Sequence, residues 1–257
     1  MNIYVCIKQV PDTATKIKIN SDRTWIDTNG IKWIVSPYDE FAIEEALKLK
    51  ESDPSNTVTV ISAGPERVKE AIRTGLAMGA DKGIHIELSE MADTALTAKA
   101  LAGAIKKQND ASLVLMGKEA ADDGLAQVPQ FVSRLLGFSC VTVALEITYA
   151  ADVLTVKREV EGGTIEKIQT PLPAVIAAQK GLNEPRYASL PNIMKAKKKE
   201  IEMLTMADVG VTDSDQMVRL VGFDLPPTKQ PGRKIDGDVA TQVQELVKAL
   251  KDEAKVV

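Results

Sequence analysis

The sequence predicts an α/β protein with a doubly wound, mainly parallel sheet, a β-rich second part and an extended C-terminal arm ending in a helix. Three observations carry this prediction. From Met1 to about Gly137, short apolar runs alternate with helical stretches, as strands joined by crossover helices do. After Gly137 the runs are β-rich and are joined by turn residues instead. Near the C-terminus regular patterning gives way to a polar, proline-containing stretch before one last amphipathic segment.

The first part contains four buried-strand runs, Ile3–Ile7, Val58–Ile61, Ile84–Ile86 and Leu113–Met116. Between and after them lie helical segments at Asp39–Lys50, Pro65–Met78, Thr94–Lys107 and Leu125–Leu136. In the second helix Val68, Ala71, Ile72, Gly75 and Ala77 make one small apolar face, and Pro65 suits a first helical turn. Val141–Ile147 and Val153–Val160 read as strands, and Glu161-Gly162-Gly163 is a hairpin turn into Thr164–Gln169. Pro171 and Pro173 interrupt before the buried run Ala174–Ala178. From about Asn183 no regular pattern is visible. Asp208–Lys234 is turn-rich and polar, with Pro226, Pro227, Pro231 and Gly232, and reads as an arm. Asp238–Glu253 places Val239, Val243, Leu246, Val247 and Leu250 on one helical face. These features divide the chain at 205/206, with a terminal helix that packs on its own domain or on another chain.

Composition narrows the function. The chain has 257 residues, 44% of them hydrophobic, enough for one large α/β domain with appendages. With 32 basic and 36 acidic residues the net charge is −4, which disfavours nucleic-acid and membrane-surface roles. Aromatic content of 4% is low for base-stacking platforms. No apolar stretch approaches the ~18 residues of a transmembrane helix. The opening MNIYVCIKQV lacks the basic-then-apolar pattern of a secretory signal. Cys6 and Cys140 lie far apart in apolar runs, and His85 is the only histidine, so no zinc or iron–sulfur site is expected. The expectation is a soluble protein of a reducing compartment, without metal. It carries no redox group of its own, so any electron chemistry borrows a cofactor.

In a doubly wound sheet, ligands bind outside the carboxyl ends of the strands where the strand order reverses. That point falls between the first and fourth strands, at loops Gln9–Thr15 and Gly117–Gly124, with the turn Ala63-Gly64-Pro65 beside them. Gly64 and Gly117 each follow a strand directly, where a missing side chain lets the backbone approach a ligand. Backbone N–H groups at a helix start near Leu125 suit a phosphate. There is no GxGxxG and no GxxxxGK[ST]. Asp122 and Asp123 would repel a phosphate. They either cap the helix or offer a carboxylate to ribose hydroxyls.

The stretch Leu182–Lys199, LNEPRYASLPNIMKAKKK, closely resembles the signature of beta subunits of electron-transfer flavoproteins. The resemblance extends through Val5–Lys8, Ser36–Glu51 (SPYDEFAIEEALKLKE), Ile72–Asp81 (IRTGLAMGAD), Gly117–Asp123 and the Arg158–Gly163 hairpin, so it spans most of residues 1–205 in order. It implies a doubly wound sheet of the adenine-nucleotide-binding type and a heterodimer whose larger alpha subunit holds most of the FAD. It also implies a buried structural AMP in this chain. Electrons would arrive from acyl-CoA dehydrogenases and related flavoenzymes and leave to a membrane quinone oxidoreductase. The compartment would be the cytoplasm in a bacterium and the mitochondrial matrix in a eukaryote. This chain would then be a carrier subunit, with no catalytic residues.

By the same resemblance, nucleotide contacts fall on Cys6, on Ser36, Pro37, Tyr38 and Asp39, on Ala63, and on Gly117, Lys118, Glu119, Ala120, Ala121, Asp122, Asp123, Gly124, Leu125, Ala126, Gln127 and Val128. The family's loop often reads DDxNQTGQ, whereas here apolar residues partly replace its hydroxyl- and amide-bearing side chains. The Ala126-Gln127-Val128 variant is similar to electron-bifurcating relatives, which hold a second FAD in place of AMP. The Lys195–Lys199 cluster resembles the AMP-type carriers. Thr13 departs from relatives that place an aromatic residue near the flavin. The family's recognition loop matches Arg186, Tyr187, Ala188, Ser189, Leu190, Pro191, Asn192, Ile193, Met194 and Lys195, with Leu190 as the apolar anchor for a dehydrogenase. Lys195, Lys197, Lys198 and Lys199 form either a solvated face or a steering patch for acidic partners. Glu159 matches a glutamate that pairs with an arginine of the alpha subunit. Two readings compete: a stand-alone nucleotide sensor of the universal-stress type, and an ATP-pyrophosphatase. The latter needs a glycine-rich loop after strand one, where Gln9-Val10-Pro11-Asp12-Thr13 has none.

Overall fold

The first strand sorts its side chains by alternation. In β1 (Asn2–Cys6), Ile3 and Val5 enter one apolar core, whereas Tyr4 and Cys6 enter the other. A strand buried on both faces belongs at the centre of a sheet with helices on either side, and that is its place in the computed structural model, which describes residues 1–150, 153–229 and 231–257. Residue 230, within the stretch read as an arm, lies outside the described residues.

The short strands β2 (Gln9–Pro11) and β3 (Trp33–Val35) pair as a separate antiparallel ribbon. Then follow α1 (Pro37–Ser52), β4 (Thr57–Gly64), α2 (Val68–Met78), β5 (Lys82–Glu87), α3 (Thr94–Gln108), β6 (Leu113–Gly117) and α4 (Val128–Leu136). Strand β1 lies parallel between β4 and β6, so the order reverses beside it, as in a doubly wound sheet. Helices α1 and α2 cover the Ile3/Val5 face through Ile43, Leu47, Ile72 and Leu76. Helices α3 and α4 cover the opposite face through Leu96, Leu101, Ile105 and Val132. Gly75 lets α2 lie against β4, because a Cβ there would sit 2.9 Å from Val60 Cγ2.

The β-rich part continues the same sheet. Strands β7 (Ser139–Ala150), β8 (Val153–Val160) and β9 (Thr164–Pro171) form an antiparallel meander, and β10 (Ala174–Ala178) returns to lie parallel between β6 and β7. The β8–β9 turn holds Gly162 and Gly163 at φ 77° and 75°, a left-handed pair that strongly favours glycine.

Four expectations need correction. Helix α2 starts at Val68, after a turn over residues 65–67 in which Val68 N–H donates to Pro65 O. Helix α4 starts at Val128, not Leu125, because Gly124 and Ala126 adopt left-handed φ of 60° and 51°. The stretch after Asn183 is partly regular, with α5 (Leu190–Lys198) and β11 (Ile201–Leu204), which adds to the sheet beside β5. Their patterns are faint because each buries a single residue, Ala196 and Leu204. Finally, Asp208 does not begin a free arm, since Val209 and Val211 are buried in the α3-side core.

The chain leaves the domain beyond that point. Met217 and Val218 N–H groups each donate to Asp93 Oδ2 at 2.7 Å. Phe223 N–H donates to Arg23 O at 2.8 Å, its ring meets Trp25 edge-on at 5.3 Å, and Arg23 pairs with Asp224. Helix α6 (Val239–Lys248), capped by Asp238, buries none of its residues. Among the described residues no helix is long and apolar enough to cross a membrane.

Candidate functional site

The carboxyl ends of β1 and β6 open onto a cavity of about 360 Å³ lined by Thr13, Pro37, Tyr38, Phe41, Glu119, Ala120, Ala121, Gly124 and Lys180. Local sequence explains how the walls meet. Ser36 and Pro37 start α1. Ser36 N–H donates to Lys8 O at 2.9 Å, and its hydroxyl accepts from Ala121 N–H at 3.3 Å. Asp39, in the first turn of α1, accepts from Lys8 N–H and Gly117 N–H, each at 2.7 Å. The start of α1 is thus fastened to the ends of both central strands.

The two strand-end glycines do something other than expected. A Cβ on Gly117 would lie 2.6 Å from Asp39 Oδ1 and from Tyr38 Cβ, and one on Gly64 would lie 2.7 Å from Val68 Cγ1. Each space is taken by the chain's own side chains, not kept for a ligand. Gly124 differs: nothing lies within 4 Å of its would-be Cβ, and its left-handed φ bends the loop at the cavity edge.

Charge at the mouth is balanced by Lys8, a residue without an assigned role in the sequence reading. Its Nζ lies 2.8 Å from both Asp122 Oδ1 and Asp123 Oδ2. Burial works against the Lys8 charge, but the two carboxylates outweigh it and hold the ammonium above its ordinary range. Asp123 also accepts from Leu125 N–H at 3.0 Å. The two aspartates therefore close a turn onto Lys8 and do not cap α4, which starts later and has no side-chain cap at Gln127. The amides of its first turn are left for other acceptors. Lys118 pairs with Glu119 at 3.3 Å and stands 5.1 Å over the Tyr38 ring.

Besides Lys118, Asp122 and Asp123, the expected nucleotide residues fall into three groups. Pro37, Tyr38, Glu119, Ala120, Ala121 and Gly124 line the cavity. Cys6, Ser36, Asp39 and Gly117 are buried and lie outside its lining, as does half-buried Ala63, next to last in β4. Burial pushes the Cys6 thiol up, with Asp39 adding to the effect. Leu125, Ala126, Gln127 and Val128 follow Gly124 into α4 and lie outside the cavity lining, with Leu125 and Gln127 exposed. Phe41 and Lys180 line the cavity without having been anticipated. Phe41 follows Asp39 by two in the SPYDEF stretch, which was the available signal.

The segment expected to recognise partners lies elsewhere, on α5. Arg186 is not part of its free surface: the guanidinium meets Glu44 at 2.8 Å through Nε and Nη2, and Glu51 through Nη1. These bonds, with Glu44 first, raise its pKa. Glu44 is buried, so Arg186 fixes the base of the segment to α1. Ala188 packs against the core. Tyr187 and Leu190 are 99% and 79% exposed, and Met194 is exposed with them. Leu190 therefore does not pack on its own domain. Ser189 caps α5, accepting from Asn192 N–H, and Pro191 occupies its first turn. Asn192, Ile193 and Lys195 are exposed, as are Lys197 and Lys198. Lys199 departs from that face, because its Nζ donates to Ala80 O at 2.6 Å. Glu159 is exposed on β8, opposite Ile165 of β9.

Fold and site together define a doubly wound α/β protein with a strand-end crevice and a separate apolar prominence. The sequence model described as "Electron transfer flavoprotein domain" matches residues 24–209. The chain is 40% identical over 260 residues to the human "Electron transfer flavoprotein subunit beta", covering 100% of this chain and 99% of that one. It is 40% identical over 259 residues to the Arabidopsis thaliana "Electron transfer flavoprotein subunit beta, mitochondrial" and 39% over 261 to the Bacillus subtilis (strain 168) subunit beta, each covering 100% of both chains. The chain belongs to the electron-transfer flavoprotein beta-subunit family.

Proposed function

We propose that this chain is the non-catalytic carrier half of a heterodimer whose alpha subunit holds most of an FAD, and that it binds one structural AMP. Electrons pass from acyl-CoA dehydrogenases and related flavoenzymes to that flavin and on to a membrane quinone oxidoreductase. The observation carrying the nucleotide part is the 360 Å³ crevice at the strand-order reversal, within the size range of small-molecule sites. Its chemistry suits AMP. Tyr38 and Phe41 line the crevice and offer aromatic surface to a base, and the uncapped start of α4 beyond Gly124 offers the Val128 and Gln130 amides to a phosphate. Lys8 offsets the two aspartates that would otherwise repel that phosphate. When bound, the nucleotide supplies packing and hydrogen bonds but no redox chemistry, which would reside on the FAD.

The partner part rests on family membership and on Leu190, Tyr187 and Met194, which stand exposed where a docked flavoenzyme would cover them. Exposed Glu159 would meet an arginine of the alpha subunit. Residues 225–257, with their uncovered α6 face, would grip the same subunit. The compartment is the cytoplasm if the source is bacterial and the mitochondrial matrix if it is eukaryotic. The test is expression with and without the alpha subunit. Alone, the chain should be colourless; together, the pair should carry flavin that an acyl-CoA dehydrogenase and its substrate reduce. A yellow, well-folded chain purified alone would contradict the proposal.

A further inference from the structure

Asp39 sits in the first turn of α1, where an acidic residue ordinarily complements the helix dipole. Its carboxylate instead reaches out of the helix. Oδ2 accepts from Lys8 N–H and Oδ1 from Gly117 N–H, both at 2.7 Å, and the residue is only 6% exposed. Those amides belong to the two strand ends between which the order reverses. Gly117 has no room for a Cβ, because Asp39 Oδ1 and Tyr38 occupy it. The carboxylate and the glycine therefore require each other.

We infer that Asp39 is a positioning residue of the nucleotide site, setting the separation of the Lys8 and Gly117 strand ends, and is not itself a contact to the nucleotide. The inference rests on the nucleotide reading above. Both oxygens are engaged by main-chain donors, one just past the end of β1 and one at the end of β6, outside the crevice lining. The brace extends outward through Lys8. Asp39 holds the Lys8 backbone, and the Lys8 ammonium holds Asp122 and Asp123 at the far end of the loop that starts at Gly117. One end of that loop is thus tied to Lys8, just past β1, through Asp39, and the other directly through the Lys8 ammonium. Asparagine cannot replace this acceptor pair. Its NH₂ would set a donor against one of the two amide N–H groups at every pH, and a buried donor left without an acceptor is costly. The ionised carboxylate, by contrast, accepts with both oxygens, and the protonated carboxyl can turn its one O–H aside.

The test uses the heterodimer and reads single-amide hydrogen exchange together with AMP affinity. In the wild type, Lys8 and Gly117 amides should stay protected whether AMP is bound or removed, because their acceptor is Asp39. Loss of their protection on AMP removal would overturn the inference, and this arm needs no variant. In Asp39→Asn, at least one of those amides should exchange at least 10-fold faster, with β4 and β5 amides unchanged, and AMP should bind at least 10-fold more weakly. Weak AMP binding with both amides still protected would make Asp39 a direct contact. Normal AMP binding with a released amide would show that the brace positions nothing. If the wild type binds no AMP, the nucleotide reading fails, whereas protection of the two amides by Asp39 is measured independently.

Discussion

Leu190 and Asp39 are opposite uses of a side chain. Leu190 leaves 79% of its surface in water at the first position of a helix capped by Ser189 and followed by Pro191, so little backbone freedom remains to be lost on docking. Truncating a buried apolar anchor typically costs about 2 kcal/mol of binding. Leu190→Ala should therefore slow electron transfer from a cognate dehydrogenase by more than ~10-fold at subsaturating concentration, with flavin content unchanged. Stopped-flow reduction of the flavin checks this, and equal rates for the two proteins would remove Leu190 from the docking surface. Asp39 is hidden. Burial pushes its carboxyl up to about 7, against the Lys8 and Gly117 amides and the Lys8 charge, while Asp122 adds to the rise; the Cys6 thiol is the other titratable group facing it. The folded protein therefore holds a proton that the unfolded chain releases near its ordinary value. The contribution to stability is present at low pH and falls as pH rises toward about 7. Urea titrations from pH 5 to 8 should show that decline in the wild type and a flatter profile in Asp39→Asn. At this scale the sequence was half legible. Gly117 was visible at a strand end, whereas strand position did not place Asp39, which came only from the family resemblance. The direction of its carboxylate was not legible at all. Nor was Arg186 legible as an internal tie, since its partners Glu44 and Glu51 lie far away in the chain.

Among elements, the strands of the doubly wound half were readable because each is a continuous apolar run buried on both faces. Helix starts were less so. The α4 start is delayed by left-handed Ala126, a non-glycine residue that gives no warning in sequence. Strand β11 escaped notice because it lies at an edge and buries only Leu204. The last element is the least settled by its own chain. Helix α6 keeps Val239, Val243, Leu246 and Val247 at least half exposed, while the segment before it is tied down at Asp93 and at the Trp25–Phe223 contact. These ties give the arm a fixed departure point, and a partner would have to cover the apolar face. Removing residues 225–257 should leave the sheet intact by circular dichroism but weaken heterodimer assembly at least 10-fold in analytical ultracentrifugation. Unchanged assembly would assign α6 no role in the pair.

At the largest scale, the described residues form a nine-stranded sheet and a separate two-stranded ribbon, with two distinct surfaces, a crevice beside the β1 and β6 ends and the α5 prominence. The sequence implied the family and the reversal of strand order, yet it split off as a β-rich part what is a continuation of the sheet through β10. That strand follows the meander in the chain but pairs with β6, a long-range parallel contact that local patterning does not encode. Apolar residues in the Leu125–Val128 stretch also left AMP and a second FAD as rival occupants. The central claim is that the crevice holds a mononucleotide while the redox flavin sits on the partner. The most direct measurement is the nucleotide content of the purified heterodimer, released by acid and quantified by mass spectrometry. The account predicts one AMP and one FAD per pair. Two FAD and no AMP would contradict it and make the chain part of a bifurcating flavoprotein.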